Sequence, residues 1–212
     1  MKKYPPFNIS GLYAVTPDEL DTERLCMQVE AVLQGGASLL QYRNKAADTA
    51  LRLWQANVLQ ALCRSFAVPL IINDDLDLCA EIGADGVHLG GKDGDITAAR
   101  SKLGADKIIG ASCYNQLDLA INAQAAGASY VAFGACFSSQ TKPNAVNAPL
   151  SLFAEATQEI NIPLVAIGGI TLESAPLVIA AGANAIAVVG ALFGADDITE
   201  ISRQFANLYA QK

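Results

Sequence analysis

Apolar residues in this chain fall into short, nearly unbroken runs. One phrase introduces them repeatedly: "GGASLLQYR" (35–43), "GADGVHLGG" (83–91), "GASYVAFGA" (127–135) and "GANAIAVVGA" (182–191) each read Gly-Ala, one or two small or polar residues, then an apolar run. Each follows a stretch that suits a helix, for example "TERLCMQVEAVLQ" (22–34) and "LDLAINAQAA" (117–126). Glycine closes a helix because it accepts positive φ. A short continuous apolar run after it reads as a strand buried on both faces. Between these phrases lies a second kind of strand: "GLYAVT" (11–16), "PLIIND" (69–74), "KIIGAS" (107–112) and "PLVAIGG" (163–169), two of them entered through Val68-Pro69 and Ile162-Pro163.

Eight strands, each followed by a helix-like stretch, predict a single (β/α)8 TIM barrel occupying residues 1–212 as one domain. The alternative, a doubly wound open sheet, lacks its usual fingerprint. The turn after "GLYAVT" has no G-x-G-x-x-G, and no G-x-x-x-x-G-K-[ST] occurs. Residues 175–195 carry no charge over a length that could span a bilayer, but Gly182, Asn184 and Gly190 interrupt them. The expectation is a buried helix end followed by a strand. The positive start "MKKYPPFNIS" is not a signal peptide, since two prolines stand where its apolar stretch belongs.

Composition narrows the chemistry. The chain is 52% hydrophobic and 17% charged, which fits a well-buried core. Its net charge of −7 argues against nucleic acid and anionic membrane as partners, so any anionic ligand needs a local cluster of cations. Five scattered cysteines without a C-x-x-C pair read as reduced thiols of a cytoplasmic protein. His88 is the single histidine, which excludes a multi-histidine metal site.

Barrel chemistry sits at the C-terminal ends of the strands. The second strand ends in Gln41, Arg43 and Lys45, which a period of two aims in one direction, with Tyr42 and Asn44 on the other side. The third ends in Asn73-Asp74, the fourth runs toward His88 and Asp93, the fifth closes on Ser112, Cys113 and Tyr114. The sixth enters the polar loop with Ser138, Ser139, Thr141 and Lys142, the loop 138–148 being the candidate lid. The seventh and eighth end in Gly168-Gly169 and Val189-Gly190. Plainer accounts exist for several of these: Asp74 could cap a helix over 75–82, Asp93 one near 95–103, and His88 could be a satisfied core histidine. Together, however, Arg43, Lys45 and Lys142 with Asp74 and Asp93 match a diphosphate held by cations and Mg²⁺. Glycines after the seventh and eighth strands allow a second phosphate to approach the backbone. Two anion sites imply two phosphorylated substrates, or one with phosphates at both ends.

"GLYAVT", "QYRNK", "INDDLDLCAEIGADGVHLGGKD", "IGAS", "YVAFGACFSSQTK", "VAIGGI" and "AIAVVGA", in this order over about residues 11 to 195, resemble the thiamine-phosphate synthase family. That resemblance implies a transferase of thiamine biosynthesis, joining a hydroxymethylpyrimidine diphosphate to a thiazole phosphate with release of diphosphate. It implies that Arg43, Lys45, Lys142 and Ser112 carry the catalysis, with Gln41, Asn73 and the whole stretch through Tyr42 and Asn44 in the pyrimidine diphosphate site. Asp74 and Asp93 would hold Mg²⁺; Ser139, Gln140, Thr141, Gly169, Val189 and Gly190 would line the thiazole phosphate site. Departures from the family pattern stand at Asp75, Gly91, Tyr114, Ser138-Ser139 and Gly190, where the family often has Arg, Gln, His, Pro-Thr and Ser.

Two other readings stay open. A thiazole tautomerase-like relative would share the barrel without needing Mg²⁺ ligands. A barrel could also bind a phosphorylated ligand without turning it over. The oligomeric state is open too, a homodimer through exposed barrel faces being one outcome.

Overall fold

In the computed structural model, which describes residues 9–91, 94–138 and 146–210, the apolar runs form parallel strands: β1 (Gly11–Val15), β2 (Leu39–Tyr42), β3 (Leu70–Asn73), β4 (Gly86–Leu89), β5 (Ile108–Tyr114), β6 (Tyr130–Phe133), β7 (Leu164–Ile167) and β8 (Ala185–Val188). They pair in chain order and β8 returns to β1, so the sheet closes into a (β/α)8 barrel. The helices α1 (Thr22–Gln34), α2 (Thr49–Ser65), α3 (Leu76–Ile82), α4 (Ile96–Leu103), α5 (Leu117–Ala126), α6 (Ser151–Glu159) and α7 (Ala175–Ala180) fill the connections. A short α8 (Gly190–Phe193) and the terminal α9 (Ile198–Ala210) follow β8. The uncharged run 175–195 therefore divides into α7, β8 and α8, and no helix among the described residues is long and apolar enough to cross a membrane.

The Gly-Ala phrases share one geometry. Gly36, Gly83, Gly127 and Gly182 all have positive φ, between 67° and 118°. The amide of the following alanine donates to a carbonyl five residues back in each case: Ala37 to Val32, Ala84 to Cys79, Ala128 to Ala123 and Ala183 to Val178. This is the Schellman closure, which satisfies helix-end carbonyls while turning the chain into the next strand. The end of α2 makes the same turn without glycine: Ala67 sits at φ 55° and Val68 donates to Cys63 at 3.0 Å. A Cβ in that conformation costs about 1–2 kcal/mol, partly offset by the entropy glycine loses on folding. Ala67→Gly is therefore expected to raise stability by about 0.5–1 kcal/mol, readable as a higher urea midpoint at unchanged slope.

The apolar interior has two compartments. Outward-facing strand residues pack against the helices, α1 contributing Leu25, Val29, Val32 and Leu33 from one stripe. Inside the barrel lie Tyr13, Val15, Leu39, Ile71, Ile108, Tyr130, Val165, Ala185 and Ala187. Large and small side chains alternate there around the barrel. His88 pairs in register with Gly110, and Gly110 with Tyr130. The missing side chain at Gly110 lets the Tyr130 ring lean across and stack on His88, with centroids 5.6 Å apart and planes at 24°.

Aspartates cap the first four helices: Asp21, Asp48, Asp75 and Asp95 each accept from backbone amides of the first turn. The caps of α3 and α4 are thus Asp75 and Asp95. Asp74, the sequence's candidate for the first of these, is left for the barrel mouth.

Candidate functional site

The mouth is assembled from the loops after β1, β2 and β3 on one side. Thr16, fully buried just past β1, holds the backbone of Arg43 twice: its hydroxyl donates to the Arg43 carbonyl (2.8 Å) and accepts from the Arg43 amide (2.9 Å). Asp18 then takes the Arg43 guanidinium at 3.1 Å and the Lys45 amide at 2.7 Å through one oxygen. The Arg43 side chain and the Lys45 backbone are thereby held in place. The Lys45 ammonium lies 3.7 Å from Asp74, whose carboxylate also accepts from the Asn73 side chain (2.6 Å) and the Gly90 amide (3.3 Å). Asp74 occupies the left-handed region at φ 62°. A non-glycine residue held there stores about 1–3 kcal/mol of strain, a pattern concentrated at functional sites.

Tyr42 and Asn44 do not share that orientation. The Tyr42 hydroxyl donates to buried Gln55 at 2.8 Å, and Asn44 donates to the same oxygen (3.0 Å) and to the Glu19 carbonyl (2.5 Å). Burial pushes the Tyr42 hydroxyl up to about 12, against the pull of Arg52, so it remains a donor. These two residues lock the β2–α2 connection from the helix side, the side on which the strand period places them. A cavity of about 460 Å³ opens beside the mouth between the loops after β2 and β3. Tyr42 and Asn44 form part of its wall, but its charged lining is Arg43, Lys45, Arg52, Asp74 and Asp75. Gln41 and Ser112 stand outside it, toward the barrel axis.

A hydrogen-bonded chain crosses that axis. Gln41 donates to Tyr13 (2.8 Å), Tyr13 meets Tyr130 (2.7 Å), Tyr130 meets His88 Nδ1 (2.8 Å), and His88 Nε2 meets Ser112 (2.8 Å). His88 is a satisfied interior residue, as its place in an apolar run implies. Burial raises both Tyr13 and Tyr130 far above the ordinary phenol range, so both keep their protons. Just past Ser112 a bulge interrupts the β5–β6 register, and Tyr114 follows in the left-handed region at φ 52°. Its hydroxyl accepts from the Gly91 amide at 3.3 Å, joining the rims after β5 and β4.

On the opposite rim, Gly169 (φ 63°) lies so close to the loop after β6 that a Cβ would come within 2.4 Å of the Ser138 carbonyl oxygen. Val189 packs at the top of the barrel interior, and Gly190 opens α8 with free space where a side chain would stand. Asp93, Ser139, Gln140, Thr141 and Lys142 lie outside the described residues, as does most of the 138–148 loop. Among the described residues no group of three or more acidic, histidine or cysteine side chains gathers as a metal cage. The buried thiols are inert: burial raises Cys113 to about 12 and Cys136 to about 11.

Sequence reading missed Thr16 and Asp18. "TPDEL" closes the first strand just as "QYRNK" closes the second, and reading all eight strand ends alike would have found them. The partners Tyr13 and Tyr130 carried no such signal, because an interior tyrosine looks like any other core residue.

Cations and a carboxylate on one rim, with close-packed glycines on the other, define a (β/α)8 barrel built to handle anionic small molecules. The sequence matches the family described as thiamine monophosphate synthase over residues 12–192. It is 60% identical to the thiamine-phosphate synthase of Methylobacillus flagellatus over 97% of both chains, and 53% identical to that of Nitrosomonas eutropha over 97% of this chain and 98% of the other. Among solved structures, a thiamine phosphate pyrophosphorylase from Pyrococcus furiosus superposes with a TM-score of 0.87 at 31% identity, covering 96% of this chain and 97% of that one. A 3-hexulose-6-phosphate synthase at 20% identity and a TM-score of 0.70 shares the fold alone. The chain belongs to the thiamine-phosphate synthase family, transferases of thiamine biosynthesis.

Proposed function

We propose that the protein joins 4-amino-2-methyl-5-hydroxymethylpyrimidine diphosphate to thiazole phosphate, giving thiamine phosphate and diphosphate. One observation carries the reading: Asp18 holds the Arg43 guanidinium and the Lys45 backbone on one rim, with the Lys45 ammonium beside an Asp74 that caps no helix. In the reaction the bond between the pyrimidine methylene and the diphosphate oxygen breaks, its electron pair leaving with diphosphate. The thiazole nitrogen supplies the lone pair for the new C–N bond. No proton must be removed, which suits a mouth whose histidine is spent inside the barrel.

Arg43 and Lys45, with Lys142, stabilise the departing charge; such preorganised groups contribute several kcal/mol to a barrier. Gln41, Asn73 and Ser112 address the pyrimidine, and Tyr42 and Asn44, in the wall of the cavity beside Arg43 and Lys45, also lock the loop that carries Arg43. Gly169, Val189 and Gly190 receive the thiazole phosphate through close backbone approach, with Ser139, Gln140 and Thr141 assigned to it by motif. A magnesium ion fits the donor set at the mouth, since Mg²⁺ takes one or two carboxylates together with substrate phosphates. Asp74 presents one such carboxylate, and Asp93 is its proposed companion. When bound, Mg²⁺ would neutralise part of the diphosphate charge. The acidic chain is proposed to act in the cytoplasm; sedimentation would distinguish a homodimer from a monomer.

The test is a coupled measurement of diphosphate and thiamine phosphate from both substrates with Mg²⁺. Equal amounts of the two, lost on adding EDTA, are expected. Isomerised thiazole phosphate without diphosphate would favour the tautomerase-like reading. Binding without product would favour a carrier.

A further inference from the structure

Proton counting along the interior chain gives it a direction. The Gln41 amide nitrogen can only donate, so Tyr13 accepts from it and must give its own proton to Tyr130, its other partner. Tyr130, having accepted, gives its proton to His88 Nδ1. A ring nitrogen that accepts carries no proton, so the imidazole proton sits on Nε2 and points at Ser112. A second ring proton would face the Tyr130 proton across the same 2.8 Å gap. The Ser112 hydroxyl, accepting from His88, has its own proton left for the mouth. Tyr13 and Tyr130 are essentially inaccessible, at 1% and 0% exposure, so water cannot repair a break in this order.

We propose that Tyr13, Tyr130 and His88 are positioning residues that transmit one proton order from the Gln41 amide to the Ser112 hydroxyl, so that Ser112 meets substrate as a hydrogen-bond donor. The contacts on β2 and β5 are then not independent. If the amide turned to offer its oxygen to Tyr13, all the protons between would shift, and Ser112 would become an acceptor. A ligand that takes a hydrogen bond from Ser112 finds the chain already set; one of the opposite polarity must reverse it. Gly110 makes the arrangement possible, because a Cβ there would fall 2.1 Å from the Tyr130 ring and 2.6 Å from His88 Nδ1. The placement of substrate atoms against Gln41 and Ser112 rests on the function proposed above; the proton order does not.

The chain has a single histidine, so ¹⁵N-histidine labelling reports His88 alone. In the ligand-free wild-type protein the expected spectrum is a neutral imidazole protonated at Nε2. Protonation at Nδ1, or at both nitrogens, overturns the proposal, and this test needs no variant to fold. Gln41→Glu supplies a carboxylate that only accepts, so the Tyr13 proton turns toward it and the His88 proton is expected on Nδ1. An unchanged tautomer in a folded Gln41→Glu protein means that the two ends are not coupled. Adding Tyr13→Phe to that variant cuts the chain and should return the proton to Nε2. Pyrimidine diphosphate added to the wild type should shift both His88 signals without exchanging them. If neither moves while Gln41→Glu still exchanges the tautomer, the proton order stands and the substrate assignment falls.

Discussion

Asp74→Asn is expected to lower kcat about 10²–10³-fold, the usual loss when one preorganised charged group is removed from a developing-charge site. The substitution disturbs little else, exchanging one acceptor oxygen for an amide NH₂ that can take the place of the longer contact, 3.3 Å from the Gly90 amide. Asparagine matches aspartate in shape and, like it, tolerates the left-handed φ of 62° at this position. The cap of α3 comes from Asp75, so no helix end is exposed. The 3.7 Å pair with Lys45 is half exposed, and such pairs contribute only about 0–1 kcal/mol to stability. Diphosphate release should therefore fall while the thermal midpoint stays nearly unchanged. A kcat within a few-fold of wild type would remove Asp74 from the chemistry.

Gly110→Ala is expected to be among the most destabilising single-methyl additions in the barrel, costing about 3 kcal/mol, the upper end of overpacking penalties. For a chain of this size that corresponds to a fall of roughly 6–12 °C in the thermal midpoint. The new Cβ would sit 2.1 Å from Tyr130 Cζ and 2.3 Å from its hydroxyl oxygen. The ring cannot swing aside, being fully buried and bonded to both Tyr13 and His88. Gly190→Ala is the matched control: nothing lies within 4 Å of its Cβ position, so stability should stay within about 0.5 kcal/mol of wild type. If the two variants melted together, the interior would be far more compliant than its packing implies.

Much of this architecture is legible from residues 1–212 alone, for a reason specific to parallel barrels. Both faces of each strand are buried, so strands stand out as apolar runs, and Gly-Ala marks where the helix before them must end. The stretches "TERLCMQVEAVLQ" and "LDLAINAQAA" coincide with α1 and α5 to the residue. The strand period places Gln41 toward the barrel axis and Tyr42 toward the helices; the strand ends at Tyr42, and past it Arg43, Asn44 and Lys45 line one cavity together with Tyr42. Adjacent aspartates are harder. Asp74 and Asp75 are interchangeable in composition, and only the backbone decides which one reaches back to the Leu78 amide. The Asp18 contact spans 25 residues to Arg43 and joins two loops that no local pattern connects.

Among the described residues, the four Gly-Ala closures stand before β2, β4, β6 and β8. The odd strands β3 and β7 are entered without that dipeptide, through Pro69 and Pro163, the first of them after the glycine-free closure at Ala67. The repeating element of this chain is thus a two-strand, two-helix segment, and the closed barrel is four such quarters laid end to end. Adding or removing one quarter would keep this alternation of strand entries in step, whereas adding or removing a single strand–helix unit would place two like junctions side by side.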